Sequence, residues 1–189
     1  MSMASPRPYC SLPDATVLEQ AGGVHLALFD VDGVLTDGTV YAGGSGDPLQ
    51  AFHIHDGKGL RMLREAGVEV GWITARGGQA VMRRAEELGI EHVLRGRSQK
   101  GRSLLEIAER LGIPPQACAY TGDDIIDLPA IRHAGLGVAV ADAHPHVRDK
   151  ADWITQHPGG RGAVREVSEL ILYARGELTA MLTGDEAPW

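Results

Sequence analysis

The segment Asp30-Val31-Asp32-Gly33-Val34-Leu35-Thr36-Asp37-Gly38 sets two carboxylates two positions apart, directly after an apolar run. In extended chain such side chains share one side. Two acids that close repel, which favours a cation between them, and an oxygen-only donor set suits Mg2+. A solvated acidic turn would use the same residue types, so the rest of the chain must arbitrate. Three further pieces follow in order: Thr74 in Ile73-Thr74-Ala75-Arg76, Lys100, and Gly122-Asp123-Asp124-Ile125-Ile126-Asp127. A hydroxyl with backbone amides can hold phosphate oxygens ahead of a helix start. A lysine supplies a compact positive charge. Asp123 is placed to complete a metal site with Asp30, while Asp124 and Asp127 can cap a helix and complement its dipole. Each piece alone has a bland reading: a strand-end threonine, a solvated lysine, a helix cap. Their joint order at strand ends and helix starts is hard to dismiss as coincidence and points to a metal site that receives a phosphate group.

These residues need elements to present them. Val24–Phe29, Val68–Ile73, His92–Leu94, Ala117–Tyr120, Leu136–Val140 and Trp153–Ile154 read as short buried strands. Gly59–Ala66, Gln79–Leu88, Gly101–Leu111, Ile125–Ala134 and Ala163–Ala174 read as amphipathic helices. In the third, Leu104, Leu105, Ala108 and Leu111 are expected to form the apolar face. Gly89, Gly112 and Gly135 stand where helices stop. Alternation of this kind predicts an α/β three-layer sandwich of Rossmann type, a mostly parallel sheet covered on both faces. Ligands then bind beyond the carboxyl ends of the strands, where all four pieces fall. Thr39–Tyr41 and Leu49–Ile54 flank a glycine-rich run and predict a projecting β-hairpin. On that hairpin His53 and His55 would share a strand face, as a transition-metal pair or as hydrogen-bonding partners of a substrate.

Residues 1–23, with Pro6, Pro8 and Pro13, read as a flexible leader, with one helical turn around Ala15–Gln20; 24–176 is the folded domain and 177–189 a tail. Lys plus Arg total 18 against 25 acids, a formal charge of −7. An acidic chain without a basic run argues against nucleic acid or an anionic membrane as partner. Cys10 and Cys118 cannot form a disulfide framework, and no apolar stretch of spanning length occurs, so a cytoplasmic location is expected.

On these motifs the chain resembles the haloacid dehalogenase superfamily of phosphohydrolases, within it the capless branch, and there the phosphatases of 3-deoxy-D-manno-octulosonate 8-phosphate. The strings that carry the likeness are residues 30–38, Phe52-His-Ile-His-Asp-Gly-Lys-Gly59, Tyr120-Thr-Gly-Asp-Asp-Ile-Ile-Asp-Leu-Pro129, Val140-Ala-Asp-Ala-His-Pro145 and Gly159-Gly-Arg-Gly-Ala-Val-Arg-Glu166. Capless fits, because the 41 residues between Asp32 and Thr74 are used by the hairpin, a helix and a strand. The chain departs from the family pattern at Ala75, where glycine is frequent, at His55, where a basic residue is, and at Arg95, where glutamine is.

The resemblance implies that Asp30 is the nucleophile and Asp32 the acid, then base. It implies that Asp30, the Asp32 backbone carbonyl and Asp123 hold Mg2+, and that Thr74 and Lys100 hold phosphate oxygens. Asp32, His53, His55, Asp56, Gly57, Arg61, Arg76, Arg84, Lys100 and Arg161 are the substrate-binding candidates. A homotetramer is implied, with hairpins and the glycine-rich segment around Gly159–Glu166 covering neighbouring sites. The product would serve lipopolysaccharide precursor synthesis. Rival readings are a phosphatase of nine-carbon sialic-type sugar acids and a phospho-accepting signalling domain without turnover; Asp32 argues against the latter.

Overall fold

A computed structural model of the chain describes residues 8–41 and 49–183. Six strands, β1 (Leu26–Phe29), β2 (Glu69–Ile73), β3 (His92–Leu94), β4 (Cys118–Gly122), β5 (Leu136–Ala139) and β6 (Trp153–Ile154), form one sheet. Their order is β3-β2-β1-β4-β5-β6, and every pairing is parallel. Crossover connections place helices on both faces, so β1, β4 and β5 are buried along their whole length. Helices α1 (Ala15–Gly22), α2 (Ile54–Glu65), α3 (Gln79–Leu88), α4 (Lys100–Leu111), α5 (Leu128–His133), α6 (Pro145–Arg148), α7 (Ala163–Ala174) and α8 (Leu178–Thr183) complete the fold. α3 and α4 stop at Gly89 and Gly112, both left-handed, as expected. The apolar face of α4 is Leu104, Ile107 and Ala108, whereas Leu105 stays exposed.

Three expectations are corrected. The described part of the leader is not loose: Val17 and Ala21, four apart on α1, bury their side chains, and α1 packs on α7. Cys10 is buried too, and the Tyr9 amide donates to Glu169 at 2.5 Å. At the other end α8 buries Leu178. The second hairpin strand ends sooner than expected. Only the antiparallel bridge Tyr41↔Leu49 forms among the described residues, 42–48 lying outside them, and helix α2 already begins at Ile54. His53 is its N-cap and His55 lies in its first turn, ring centroids 5.0 Å apart at 90°, so they are not a strand-face pair. Finally, Ile125–Ala134 splits into a 3-10 turn (Ile125–Asp127) and α5, because Asp124 and Asp127 close a capping box there.

The glycine-rich segment is tied to the body of the fold. The Gly159 amide donates to Asp142 Oδ1 (2.9 Å) and the Gly160 amide to the Val34 carbonyl (2.8 Å). A Cβ on Gly159 would overlap the Gly33 carbonyl oxygen, a backbone atom that cannot step aside. This segment therefore braces the loop that follows Asp30. Gly159→Ala should lower stability by roughly 2–4 kcal/mol and depress activity with it. Gly67→Ala, at positive φ but in open space, should cost only about 1 kcal/mol and spare activity. Chemical denaturation with a parallel assay checks both; equal costs at the two sites would contradict the brace.

Candidate active site

Strand order reverses direction between β1 and β4, which opens a crevice at their carboxyl ends. Asp30 leaves β1 at this point, its amide donating to Thr121 of β4 at 3.0 Å. Asp123 follows β4 directly. Carboxylate oxygens of Asp30, Asp123 and Asp127 lie within 4.8 Å of one another. Between β1 and the start of α4, Lys100 is wholly buried, and its ammonium donates to Asp30 Oδ1 and to the Ile73 carbonyl, both at 2.5 Å. It stands 3.8 Å from Asp127 Oδ1. A buried ammonium must be paired and hydrogen-bonded, so Lys100 ties β1, the end of β2 and the acid-bearing turn after β4 together.

The loop that carries the nucleophile is held from within. Val31 N–H donates to Asp30 Oδ1 (2.7 Å), and the Thr36 hydroxyl donates to the Val31 carbonyl (3.2 Å). Gly33 has φ +100°, open to glycine and strained for other residues, and a Cβ there would overlap the Asp123 carboxylate. Asp32 points its side chain away from the acid cluster: Thr74 Oγ1 donates to Oδ2 (2.9 Å) and Gln50 Nε2 to Oδ1 (3.1 Å). Thr74 also accepts from the Arg76 amide at 3.0 Å. Its hydroxyl thus bonds Asp32 in this structure. Asp127 caps its turn, accepting from the Asp123 and Asp124 amides, and takes the Tyr120 hydroxyl at 2.6 Å.

The three-acid cluster fits a divalent cation. Asp123 Oδ1 is buried without a hydrogen-bond partner, a costly state for a carboxylate oxygen unless an ion meets it. Burial first, then repulsion from Asp127 and Asp30, pushes the Asp123 carboxyl up to about 8. Burial, then Asp127, pushes Asp30 up to about 7, against the opposing pull of Lys100. All donors are oxygens, which suits Mg2+.

The expected substrate residues divide. Arg76 is exposed and, with Arg95 and Arg97, lines an open cleft beside Thr74 at the ends of β2 and β3. Asp56 is buried and accepts the Gly162 (3.2 Å) and Arg165 (2.8 Å) amides, so it caps α7. Gly57 makes room for the Arg84 guanidinium. Arg84 pairs with Glu87 (2.8 Å) and Arg61 donates to the Glu87 carbonyl (3.1 Å), which ties both to the α2–α3 surface. Arg161 lies 3.5 Å from Asp37 and is otherwise exposed. His144 caps α6, accepting from the His146 amide (3.2 Å), a structural role as expected. Sequence reasoning missed Gln50, Tyr120 and Asp142. Only Tyr120 carried a signal, since a buried strand tyrosine needs a partner for its hydroxyl.

Residues 76–166 match the family model of the haloacid dehalogenase-like hydrolases. The 3-deoxy-D-manno-octulosonate 8-phosphate phosphatase of Escherichia coli (strain K12) is 46% identical over 164 residues, 87% of each chain. The chain belongs to the haloacid dehalogenase-like hydrolases. Among solved structures of that family, the Moraxella catarrhalis 3-deoxy-D-manno-octulosonate 8-phosphate phosphatase, in complex with magnesium, phosphate and KDO, superposes with a TM-score of 0.88 at 40% identity, over 90% of this chain and 98% of that one. The cobalt-bound Haemophilus influenzae phosphatase gives 0.84 at 35% identity, over 87% and 96%. As a family member this chain is capless: among the described residues between Asp32 and Thr74 only the bridge strand, α2 and β2 occur.

Without metal, folded Asp30 and Asp123 retain protons that the unfolded chain releases from about pH 4 upward. Their raised affinities therefore withdraw stability as pH climbs through about 7 and about 8. A divalent ion takes the deprotonated acids, so its binding should release protons and tighten over the same interval. The metal-free thermal midpoint should fall between pH 5 and 8 while the gain on adding Mg2+ grows. Calorimetry in buffers of different ionisation enthalpy should register one to two protons released; a pH-independent Mg2+ affinity would contradict the cluster.

Proposed function

We propose that this chain is an Mg2+-dependent phosphomonoesterase that hydrolyses 3-deoxy-D-manno-octulosonate 8-phosphate through an aspartyl-phosphate on Asp30, a step of lipopolysaccharide precursor synthesis. One arrangement carries the reading: Asp30 is bonded to buried Lys100, and Asp32, on the same loop as Asp30, is held by Thr74 from the end of β2. The chain that contains them is 46% identical to a phosphatase of that sugar acid.

Asp30 Oδ1 is occupied by Lys100 and the Val31 amide, so Oδ2 is the oxygen that attacks phosphorus. Asp32 gives its proton to the departing sugar oxygen, then takes one from the water that attacks the aspartyl-phosphate. Inorganic phosphate leaves and Asp30 is a carboxylate again, with Asp32 reprotonated. Asp30 and Asp123, with Asp127 beside them and the Asp32 carbonyl that the family resemblance implies, would hold Mg2+, which when bound would offset the repulsion between anionic nucleophile and anionic phosphate. Lys100 supplies fixed positive charge at the same place without reorganising. A signalling domain has no use for an acid held as Asp32 is.

The substrate also carries a carboxylate, and Arg76 with its neighbours Arg95 and Arg97 offers it guanidinium groups beside Thr74. The arrangement suits an acidic sugar better than a neutral one. A homotetramer is part of this reading. Val40, Tyr41, Leu49 and Ile54 are exposed around the bridge strand, and a neighbouring copy would cover them and the open site. No helix among the described residues is long and apolar enough to cross a membrane. Two buried free thiols, Cys10 and Cys118, fit a cytoplasmic location.

Asp30→Asn should lower phosphate release by about 10⁴-fold or more, measured at a temperature where circular dichroism shows the variant folded, because it also removes the negative partner of buried Lys100; retained turnover would refute the nucleophile. Phosphate release from eight-carbon and nine-carbon sugar acid phosphates and from glucose 6-phosphate, with Mg2+ and with chelator, tests the substrate. Preference for the eight-carbon acid by tenfold or more, lost with chelator, is expected. Equal turnover of glucose 6-phosphate would overturn the sugar-acid assignment.

A further inference from the structure

Asp32 has to be found by the leaving oxygen in one step and by water in the next, so its carboxyl plane must stay fixed through both. Thr74 holds one oxygen. The other is held by Gln50, whose Nε2 donates to Oδ1 at 3.1 Å, and no motif assigned this residue a role. Its placement is built rather than incidental. Exposure alternates outward and inward over Leu49, Gln50, Ala51 and Phe52, the period of an extended strand. Gln50 and Phe52 therefore share the inward side. Phe52 stacks on Trp72 of β2, centroids 6.2 Å apart at 13°, and the Tyr41↔Leu49 bridge fixes the position just before Gln50. The segment is thus anchored on both sides of Gln50 and aims its amide at Asp32.

We infer that Gln50 is the positioning residue that keeps Asp32 aligned in both halves of the reaction. A carboxamide suits that task because it presents a donor and an acceptor. Through Nε2 it bonds the carboxylate, and with the amide turned over Oε1 accepts the proton of the carboxylic acid. The Thr74 hydroxyl already accepts from the Arg76 amide and directs its hydrogen to Asp32 Oδ2. Gln50 is therefore a partner that can exchange roles when Asp32 gains or loses its proton.

The inference rests on the aspartyl-phosphate chemistry proposed above, and leaving-group dependence tests it. Phosphoryl transfer from p-nitrophenyl phosphate needs no acid, transfer from a sugar phosphate does, and hydrolysis of the aspartyl-phosphate needs the base in both cases. In Gln50→Met, kcat on the sugar acid phosphate should fall roughly 10–100-fold with KM within about twofold. The first p-nitrophenol released should appear at the unmodified rate, as a burst before slowed turnover. Gln50→Ala, which removes bulk, should give the same pattern. In an Asp32→Asn background Gln50→Met should add little further loss. An equal fall on both esters without a burst, full additivity with Asp32→Asn, or an unchanged kcat would overturn the inference. If the unmodified enzyme turns over both esters and the variants lose the same factor on each without a burst, only the role of Gln50 falls. If the unmodified enzyme releases phosphate from neither, the aspartyl-phosphate reading falls and this inference with it.

Discussion

The buried ion pair between Lys100 and Asp30 is the constraint on which the rest depends. Three carboxylates converge at one end of the sheet, and burial alone would push their charges out. Lys100 answers part of that charge from a helix start that follows β3. Its contacts reach β1, the carbonyl ending β2 and the acidic turn after β4. A pair in so dry a place contributes little net stability by itself, yet removing one partner leaves an uncompensated charge. The site is thus assembled from separate βα units, none of which can be displaced without exposing a charge to apolar surroundings.

Around that centre the backbone must come unusually close to itself. Gly33 leaves space for the Asp123 carboxylate, and Gly159 leaves space for the Gly33 carbonyl. Asp142 then holds the Gly159 amide, and Glu166 accepts the His157 amide at 2.7 Å, which fixes where the segment begins. On the far side Tyr9 stacks on His157, centroids 4.9 Å apart. A chain of contacts therefore runs from the N-terminal segment to the loop beside the nucleophile.

Much of this was legible in the residues. Strand runs ending in Asp30, Thr74 and Asp123 located the crevice because buried parallel strands are continuous apolar runs with polar residues at their ends. Lys100 was found by its place in the order, although nothing local distinguishes a buried lysine from a solvated one. Apart from the local capping box that splits Ile125–Ala134, what failed shares one cause: its partner lies far away in the chain. Asp56 looked like a substrate ligand until α7 supplied two amides to it. The start of α2 was hidden by Gly57 and Gly59, poor helix formers kept small because Arg84 and Ser168 press against them. The expected helical turn around Ala15–Gln20 is the start of α1, but proline-rich composition hid that it docks, since its apolar pair Val17 and Ala21 acquires meaning only against α7. Gln50 carried no signal, since a glutamine beyond a glycine-rich run is an ordinary surface residue until Asp32 stands opposite.

The brace formed by Gly159 and Gly160 has a consequence for vectorial synthesis. The ribosome delivers Asp30 before Gly159 and Gly160, the backbone that supports its loop. A nascent chain that has already paired its first strands still holds Asp30 in an unsupported loop. The brace can thus form only once Gly159 and Gly160 have joined the chain.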